Sequence, residues 1–483
     1  MILADLLRGE RVKESALPME TEITKVCTDS REAEAGCLFL CIDGVKVDGH
    51  TFIDEVRAKG AAAILIDRPE CMGERTVLVE NTRAALSRIA ANLYGRPADA
   101  MHLVGVTGTN GKTTTTLLLK QLLEHAGHRV GLIGTIENQI GDRVMASAYT
   151  TPEPLSLHRL LAEMRDAGCD YVVMEVSSHS LAQHRVDGLH FDVGVFTNLT
   201  QDHLDFHGTM EHYLAAKAKL FTMSDVSVIN YDDAAAEKLI TSAAGEVVTY
   251  SAMSDNADVV AKNIDLRADG VRFNLVAKNL IGRIRLGIPG RFSVYNALAV
   301  AAAALRCGMT LPQVSEALGA AGGVKGRAEV VPTGRPYTVL IDYAHTPDGL
   351  YNILSTVRGF AEGRVIAVFG CGGDRDRGKR PKMGRIAAEN ADFLVVTSDN
   401  PRTEDPDAII KEILEGLKGQ KTPHVTIPDR TEAIRYALTH ARAGDVIVLA
   451  GKGHETYQIL KEGKIHYDER EVIAQILSEE KEK

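Results

Sequence analysis

Ten consecutive residues, Gly105-Val106-Thr107-Gly108-Thr109-Asn110-Gly111-Lys112-Thr113-Thr114, join an apolar stretch to an amphipathic one and interleave glycines with hydroxyls and a lysine. Glycines let backbone N–H groups approach a phosphate closely, Lys112 can neutralise β- and γ-phosphate oxygens, and the Thr113 hydroxyl can face Mg²⁺. A helix beginning at Thr113 would add the positive end of its dipole. The strict P-loop has glycine five residues before Gly111, where Val106 stands, which disfavours an ordinary GTPase or motor. A Gly-rich turn with an incidental lysine is the alternative, and the strand, Gly-Lys-Thr and helix context weighs against it. Downstream, Tyr171-Val172-Val173-Met174-Glu175 reads as an apolar strand ending in a carboxylate. Glu175 is therefore a candidate metal group, with a water-facing strand end as its plain reading.

The elements needed to position these groups are legible around them. Residues 1 to about 98 read as a small α/β unit with strands near Cys37–Ile42 and Ala61–Ile66, a helix near Phe52–Lys59, and Arg96-Pro97 as a linker. From Met101, strands at Gly131–Thr135, Tyr171–Val176, Val193–Asn198 and Ser227–Asn230 alternate with helical segments, the pattern of a parallel sheet covered on both faces. Alternating residues from Asp258 to Pro289, with Asp269-Gly270 as a hairpin turn, predict an antiparallel extension of that central domain before helices resume at Ser293. Strands at Thr338–Asp342, Arg364–Gly370, Asp392–Asp399 and Asp445–Gly451 predict a second doubly wound domain. The fold class is α/β in three domains, 1–98, 99–333 and 334–483.

Composition narrows the function. The 483 residues are 45% hydrophobic, enough for several cores, and the net charge of −10 without a basic run argues against binding nucleic acid or an anionic membrane. Seven cysteines, at 27, 37, 41, 71, 169, 307 and 371, form no C-x-x-C pair, consistent with reduced thiols. Met1–Glu14 lacks the apolar core of a signal peptide, and the most apolar run, Ala297–Leu305, is too short to span a bilayer. A cytoplasmic protein without membrane insertion is expected.

Four ordered motifs, Gly108-Thr-Asn-Gly-Lys-Thr-Thr114, Glu175-Val-Ser-Ser-His179, Thr197-Asn-Leu-Thr-Gln-Asp-His203-Leu-Asp205 and Asp342-Tyr-Ala-His345-Thr-Pro347, resemble the Mur ligases over nearly the whole chain. The resemblance implies a small UDP-binding domain, a central P-loop ATPase domain with a parallel sheet and a C-terminal Rossmann-like domain that binds an amino acid. It implies that ATP phosphorylates a substrate carboxylate, and that an amine then displaces phosphate through a tetrahedral intermediate. Both steps gather negative oxygens, which Lys112 and two Mg²⁺ ions would stabilise. By resemblance Gly108, Thr109, Asn110, Gly111, Lys112, Thr113 and Thr114 bind ATP, as do Asn296, Arg327, Asp342 and His345, with domain closure assembling the site. One Mg²⁺ would be held by Thr113 and Glu175, and the other would involve His203. Lys217, in the helical segment Met210–Phe221, matches the lysine that the family carbamylates with CO₂; by residue type alone it would be a solvated helix lysine.

The same resemblance assigns the substrates. Ser30 and His50 would contact the UDP portion of UDP-MurNAc-L-Ala-D-Glu, while Thr150, Thr151, Ser177, Gln183 and Arg185 would hold its muramoyl-dipeptide; Thr150-Thr151-Pro152 could equally be a helix cap. The tetrad Asp399-Asn400-Pro401-Arg402 resembles the signature of those family members that add meso-diaminopimelate. Diaminopimelate differs from lysine by a second carboxylate, which Arg402 can bind. Arg375, Gly451 and Glu455 match further contacts to that amino acid. Alone, the tetrad would read as a turn, and the run around Arg375 as a basic phosphate loop. The expected partners are the nucleotide-dipeptide, meso-diaminopimelate and ATP, and the chain is expected to be a monomer. The rival readings are the same ligase adding L-lysine, a folylpolyglutamate-synthetase-like ligase, and a nucleotide-regulated switch without ligation.

Overall fold

Apolar runs of three to seven residues become buried strands, and the helices between them present one apolar face each. The computed structural model describes residues 1–44, 47–278 and 280–481. Contacts divide the chain into two units, Met1–Tyr250 with Ala302–Cys307, and Ser251–Ala301 with Gly308–Lys483.

The first unit opens with a five-stranded sheet in the order Glu14–Ser15, Thr76–Leu78, Ala63–Ile66, Cys37–Leu40, Lys25–Cys27, parallel except for its first pair. Alternation splits its strand residues between two cores: Leu38, Leu40, Ala63 and Leu65 face one, while Cys37, Phe39, Ile64 and Ile66 face the other. A second sheet runs parallel from Glu246–Ser251 through Ser224–Asn230, Phe191–Phe196, His102–Thr107 and Tyr171–Glu175 to Val130–Ile133, where two antiparallel strands extend it. Its central strands are buried over nearly their whole length, as expected where helices cover both faces. All carboxyl ends of the parallel strands share one edge, so the loops that follow them converge.

In the second unit, Val259–Arg267, Gly270–Ala277 and Leu280–Leu286 form antiparallel hairpins, and Gly270 follows the turn expected at Asp269. These strands group by contacts with the second unit. A six-stranded sheet follows in the order Glu329–Val331, Thr338–Asp342, Val446–Ala450, Val365–Phe369, Phe393–Val396, His424–Thr426, parallel after its first pair. The four expected C-terminal strands are all present: Thr338–Asp342 has the expected bounds and the other three are slightly shorter than their apolar runs. Among the described residues no helix is long and apolar enough to cross a membrane, and all seven cysteines are free thiols.

One enclosed cation ties this sheet's carboxyl edge together. Arg430, at the start of the helix Arg430–His440, donates from Nε to Glu469 Oε1 at 2.8 Å, from Nη1 to Ser398 O at 3.2 Å and from Nη2 to Ala450 O at 3.0 Å. Both charged side chains are sealed from water, at 0% and 1% exposure. Removing one partner strands the other's charge, whereas removing both does not. Arg430→Met should therefore cost about 3–5 kcal/mol, and Arg430→Met with Glu469→Met should recover much of it in denaturant titrations.

Candidate active site

The strand His102–Thr107 lies between Tyr171–Glu175 and Phe191–Phe196, so the loop leaving it has a neighbour on each side. Gly108 has φ +152°, and a Cβ there would stand inside the van der Waals radius of Thr197 Oγ1. Thr197 Oγ1 donates to Asn110 O at 2.6 Å, Asn198 O accepts from Thr109 N at 2.8 Å, and Asn198 Oδ1 accepts from Asn110 N at 2.9 Å. Gly111, at φ +86°, turns the chain into the helix Lys112–His125, which begins one residue earlier than the sequence reading placed it. Lys112 Nζ arches back to Gly108 O and Thr109 O, both at 2.9 Å, so its charge lies directly over the loop. Thr113 and Thr114 occupy the helix's first turn.

Glu175 is 1% exposed, which removes the water-facing alternative. Its Oε1 accepts from Thr135 N at 2.8 Å and its Oε2 from Thr135 Oγ1 at 2.9 Å. Thr135 Oγ1 also lies 2.9 Å from Thr150 Oγ1, and Thr151 Oγ1 donates to Glu175 O at 2.8 Å while accepting from Ser177 N at 3.1 Å. The neighbouring helix Pro154–Asp166 has Glu153 at its N-cap, so Thr150 and Thr151 are not a helix cap. Arg185 continues the network: Nη1 donates to Thr151 O at 2.9 Å, Nη2 to Gln183 Oε1 at 2.6 Å, and Nη2 lies 2.8 Å from Glu153 Oε1. Thus Thr150, Thr151, Ser177, Gln183 and Arg185 form one hydrogen-bonded group beside Glu175. Ser30 and His50 lie apart from it in the described hydrogen bonds; His50 is held between Asp48 Oδ1 at 2.8 Å and Asp67 Oδ1 at 3.2 Å, and Ser30 O accepts from Lys59 Nζ at 2.7 Å.

Lys217 sits in the helix Met210–Thr222 but is 1% exposed, so it is not a solvated lysine. Its Nζ lies 4.4 Å from the Tyr213 ring centroid, and the Tyr213 hydroxyl is 3.2 Å from Thr109 Oγ1. Burial, reinforced by the Lys112 charge, pushes the Lys217 ammonium well below its ordinary pKa. Both effects favour loss of the ammonium proton, and the unprotonated amine is the nucleophilic form. Nearby, the ring of His203, at φ +51°, packs 4.8 Å from His179 and 6.2 Å from Tyr213. His207 bonds Ser178 Oγ at 3.0 Å, and burial lowers its pKa to about 4. Among the described residues no three His, Cys, Asp or Glu side chains form a metal-holding group. The available donors, the Thr113 hydroxyl and the anchored Glu175 carboxylate, are hard oxygens that suit Mg²⁺, an ion that binds through few protein groups and keeps several waters.

In the second unit, Asn296 is buried on the helix Arg291–Arg306. The Asp342 carboxylate accepts from Ala328 N at 2.7 Å and Ala344 N at 2.9 Å, and burial raises its pKa. The Arg327 guanidinium lies 5.4 Å over the Tyr343 ring, which also packs 4.6 Å from His345. Asp399–Arg402 follows Phe393–Val396, Gly451 follows Val446–Ala450, and the Arg375 loop follows Val365–Phe369, so three adjacent parallel strands deliver all of these residues to one edge. Arg402 Nη1 donates to Gly373 O at 2.8 Å. Asp399 Oδ2 is buried with no hydrogen-bond partner among the described residues, and a Cβ on Gly451, at φ +120°, would collide with it. Arg375 is exposed on its loop.

The sequence reading passed over Thr135, which orients Glu175; Arg380, fully enclosed and bonded to Glu404, Glu412 and Gly372 O; and Lys452. Lys452 stands inside a motif already singled out for its neighbours, and only burial distinguishes it. Replacing Gly108 with alanine should abolish nucleotide binding and also lower the melting temperature, because the added Cβ meets Thr197 Oγ1 on a strained backbone, as measured by nucleotide titration and thermal unfolding. Lys112→Ala should lower kcat/KM by about 10²–10³-fold, and retained turnover would contradict the phosphate assignment.

Similarity to known proteins agrees with this geometry. Residues 22–94 match the catalytic domain of the Mur ligase family, 106–304 the Mur ligase middle domain, and 326–453 the glutamate ligase domain of Mur ligases. The chain is 51% identical over 482 residues, 99% of each chain, to the UDP-N-acetylmuramoyl-L-alanyl-D-glutamate--2,6-diaminopimelate ligase of Caldanaerobacter subterraneus. It is 47% identical over 465 residues, 95% of this chain and 96% of the relative, to the enzyme of that name in Clostridium botulinum. A solved structure of a ligase of the same name superposes with TM-score 0.76 at 32% identity, covering 99% of both chains. Family-model matches over most of the chain and full-length similarity at 51% identity place this chain, with its glycine-rich strand-to-helix loop and anchored strand-end carboxylate, in the Mur ligase family of ATP-dependent amide-bond-forming ligases.

Proposed function

We propose that this enzyme joins meso-diaminopimelate to UDP-MurNAc-L-Ala-D-Glu at the expense of ATP, through an acyl phosphate, in peptidoglycan precursor synthesis. The observation that carries the reading is that Arg402 and Glu455 are linked through Asn400, Arg402 Nη1 donating to Asn400 O at 3.4 Å and Asn400 Nδ2 donating to Glu455 Oε2 at 2.9 Å. A guanidinium and a carboxylate there match the distal carboxylate and ammonium of diaminopimelate, which lysine does not offer as a pair. Full-length similarity to ligases named for 2,6-diaminopimelate supports the same substrate. The match of residues 22–94 to a Mur ligase domain favours this reading over a folylpolyglutamate-synthetase-like one.

In this account the Gly108–Thr114 loop and Lys112 bind the ATP phosphates, together with contacts from Asn296, Arg327, Asp342 and His345. Ser30 and His50 hold the UDP portion, while Thr150, Thr151, Ser177, Gln183 and Arg185 orient the dipeptide. Its terminal carboxylate oxygen attacks the γ-phosphorus and breaks the β–γ P–O bond, releasing ADP. The diaminopimelate amine, held by Arg375, Asp399, Asn400, Pro401, Arg402, Gly451 and Glu455, adds to the acyl carbon, and phosphate leaves as the amine proton is lost. Mg²⁺ bound near Thr113, Glu175, Lys217 and His203 would neutralise charge on the phosphate oxygens. The neutral Lys217 amine is the form that adds to CO₂, losing a proton to give an anionic carbamate. Domain boundaries at 1–98, 99–333 and 334–483, a monomeric state and a cytoplasmic location complete the proposal.

Phosphate release with ATP, Mg²⁺ and the nucleotide-dipeptide should require meso-diaminopimelate and be absent with L-lysine; equal turnover with lysine would overturn the specificity. Arg402→Ala should raise the KM for diaminopimelate by about 10²-fold while leaving the KM for ATP unchanged. In ¹³CO₂-saturated buffer the wild type should show a carbamate carbon resonance that Lys217→Ala loses. A resonance that persists in that variant would remove the carbamate assignment.

A further inference from the structure

Lys452 is 0% exposed, and it lies between two of the residues assigned above to diaminopimelate. Its Nζ is 2.9 Å from Glu455 Oε2 and 3.2 Å from Asn400 Oδ1. Asn400 closes the triangle, donating from Nδ2 to the same Glu455 Oε2 at 2.9 Å. The orientation of that amide is forced: Oδ1 also accepts from Ile459 N at 2.9 Å, and both groups facing it can only donate, so Nδ2 must point at Glu455. Glu455 Oε2 thus receives two donors, while Oε1 carries none of the described hydrogen bonds. The Tyr457 and Tyr467 ring centroids lie 5.8 and 6.0 Å from Lys452 Nζ.

Glu455 is 12% exposed and already paired with a sealed cation, so it presents one directed acceptor oxygen rather than an uncompensated negative charge. Such an acceptor suits an ammonium whose own charge is balanced by an adjacent carboxylate, as at the distal centre of diaminopimelate. A lone terminal ammonium, as on lysine, gains little from a neutralised carboxylate and still loses its hydration. We infer that Lys452 is a specificity-determining positioning residue: it acts through Glu455 and Asn400 to select a zwitterionic amino-acid terminus over a solitary ammonium. It complements Arg402, which reads the carboxylate of the same terminus.

The inference rests on the diaminopimelate reading of this pocket, and wild-type turnover with meso-diaminopimelate but not L-lysine tests that reading separately. The experiment compares kcat and KM for both amines, ATP and the nucleotide-dipeptide in the full-length wild type, Lys452→Met, Glu455→Gln and the double variant. Lys452→Met is expected to raise the KM for diaminopimelate about tenfold and to reduce the preference over lysine about as much, with the other two KM values unchanged. In the Glu455→Gln background the same change should have little further effect, because the charge it balances is gone. Lys452→Gln, which keeps a hydrogen-bond donor without the charge, should follow Lys452→Met. Parallel changes in every kinetic constant, equal effects in both backgrounds, or wild-type preference in Lys452→Gln would overturn the inference. Failure of both Lys452 variants to fold would assign the residue a purely structural role and overturn it equally.

Discussion

Gly108 leaves its strand at φ +152°, and the point where a side chain would begin is held by Thr197 Oγ1. That contact lets the loop lie against the carboxyl ends of two strands at once, with Thr197 and Asn198 bonding Thr109 and Asn110 from the neighbouring strand's exit. The loop backbone is thereby fixed in advance, so in the proposed ATP site little reorganisation would accompany binding. The Glu175 carboxylate reaches the same edge because its strand is the other neighbour of His102–Thr107. Displacing the loop by one side chain would separate Lys112 from the carbonyls beneath it and Tyr213 from Thr109, on which the setting of Lys217 depends.

Three enclosed cations show how partner chemistry decides the role of a charge. Arg430 faces one carboxylate and two carbonyls, a set that satisfies a permanent guanidinium and knits strand ends together. Lys452 faces a carboxylate and an amide, so it remains part of an ion pair that shapes Glu455. Lys217 faces an aromatic ring, with another lysine contributing repulsion, so its protonated form is disfavoured. The three residues are similarly buried, and burial by itself would not separate them.

Much of the fold was legible because hydrophobic period and turn chemistry are local. The strand Thr338–Asp342 has the expected bounds, and the hairpin at Asp269-Gly270 follows from its turn residues. The strand-to-helix turn at Gly108–Thr114 was equally plain, since glycines between an apolar run and an amphipathic one mark such a turn. The helix start at Lys112 was missed by one residue because the left-handed turn at Gly111 completes earlier than the hydroxyls suggest. Thr150-Thr151 could have been a cap by sequence; only the register of Pro154–Asp166 frees both threonines to bond beside Glu175. Lys452, Arg380 and Thr135 were overlooked for a common reason: their roles depend on long-range partners, and residue type alone does not announce burial.

In the proposed reaction the substrate carboxylate is activated as an acyl phosphate before the amine arrives. Supplying UDP-MurNAc-L-Ala-D-Glu with ¹⁸O in its terminal carboxylate and analysing the released phosphate by mass tests this directly. Transfer of one ¹⁸O atom to phosphate in each turnover, with product formed in equal amount, is the predicted result. Unlabelled phosphate accompanying normal product would contradict the acyl phosphate and require another route to the amide.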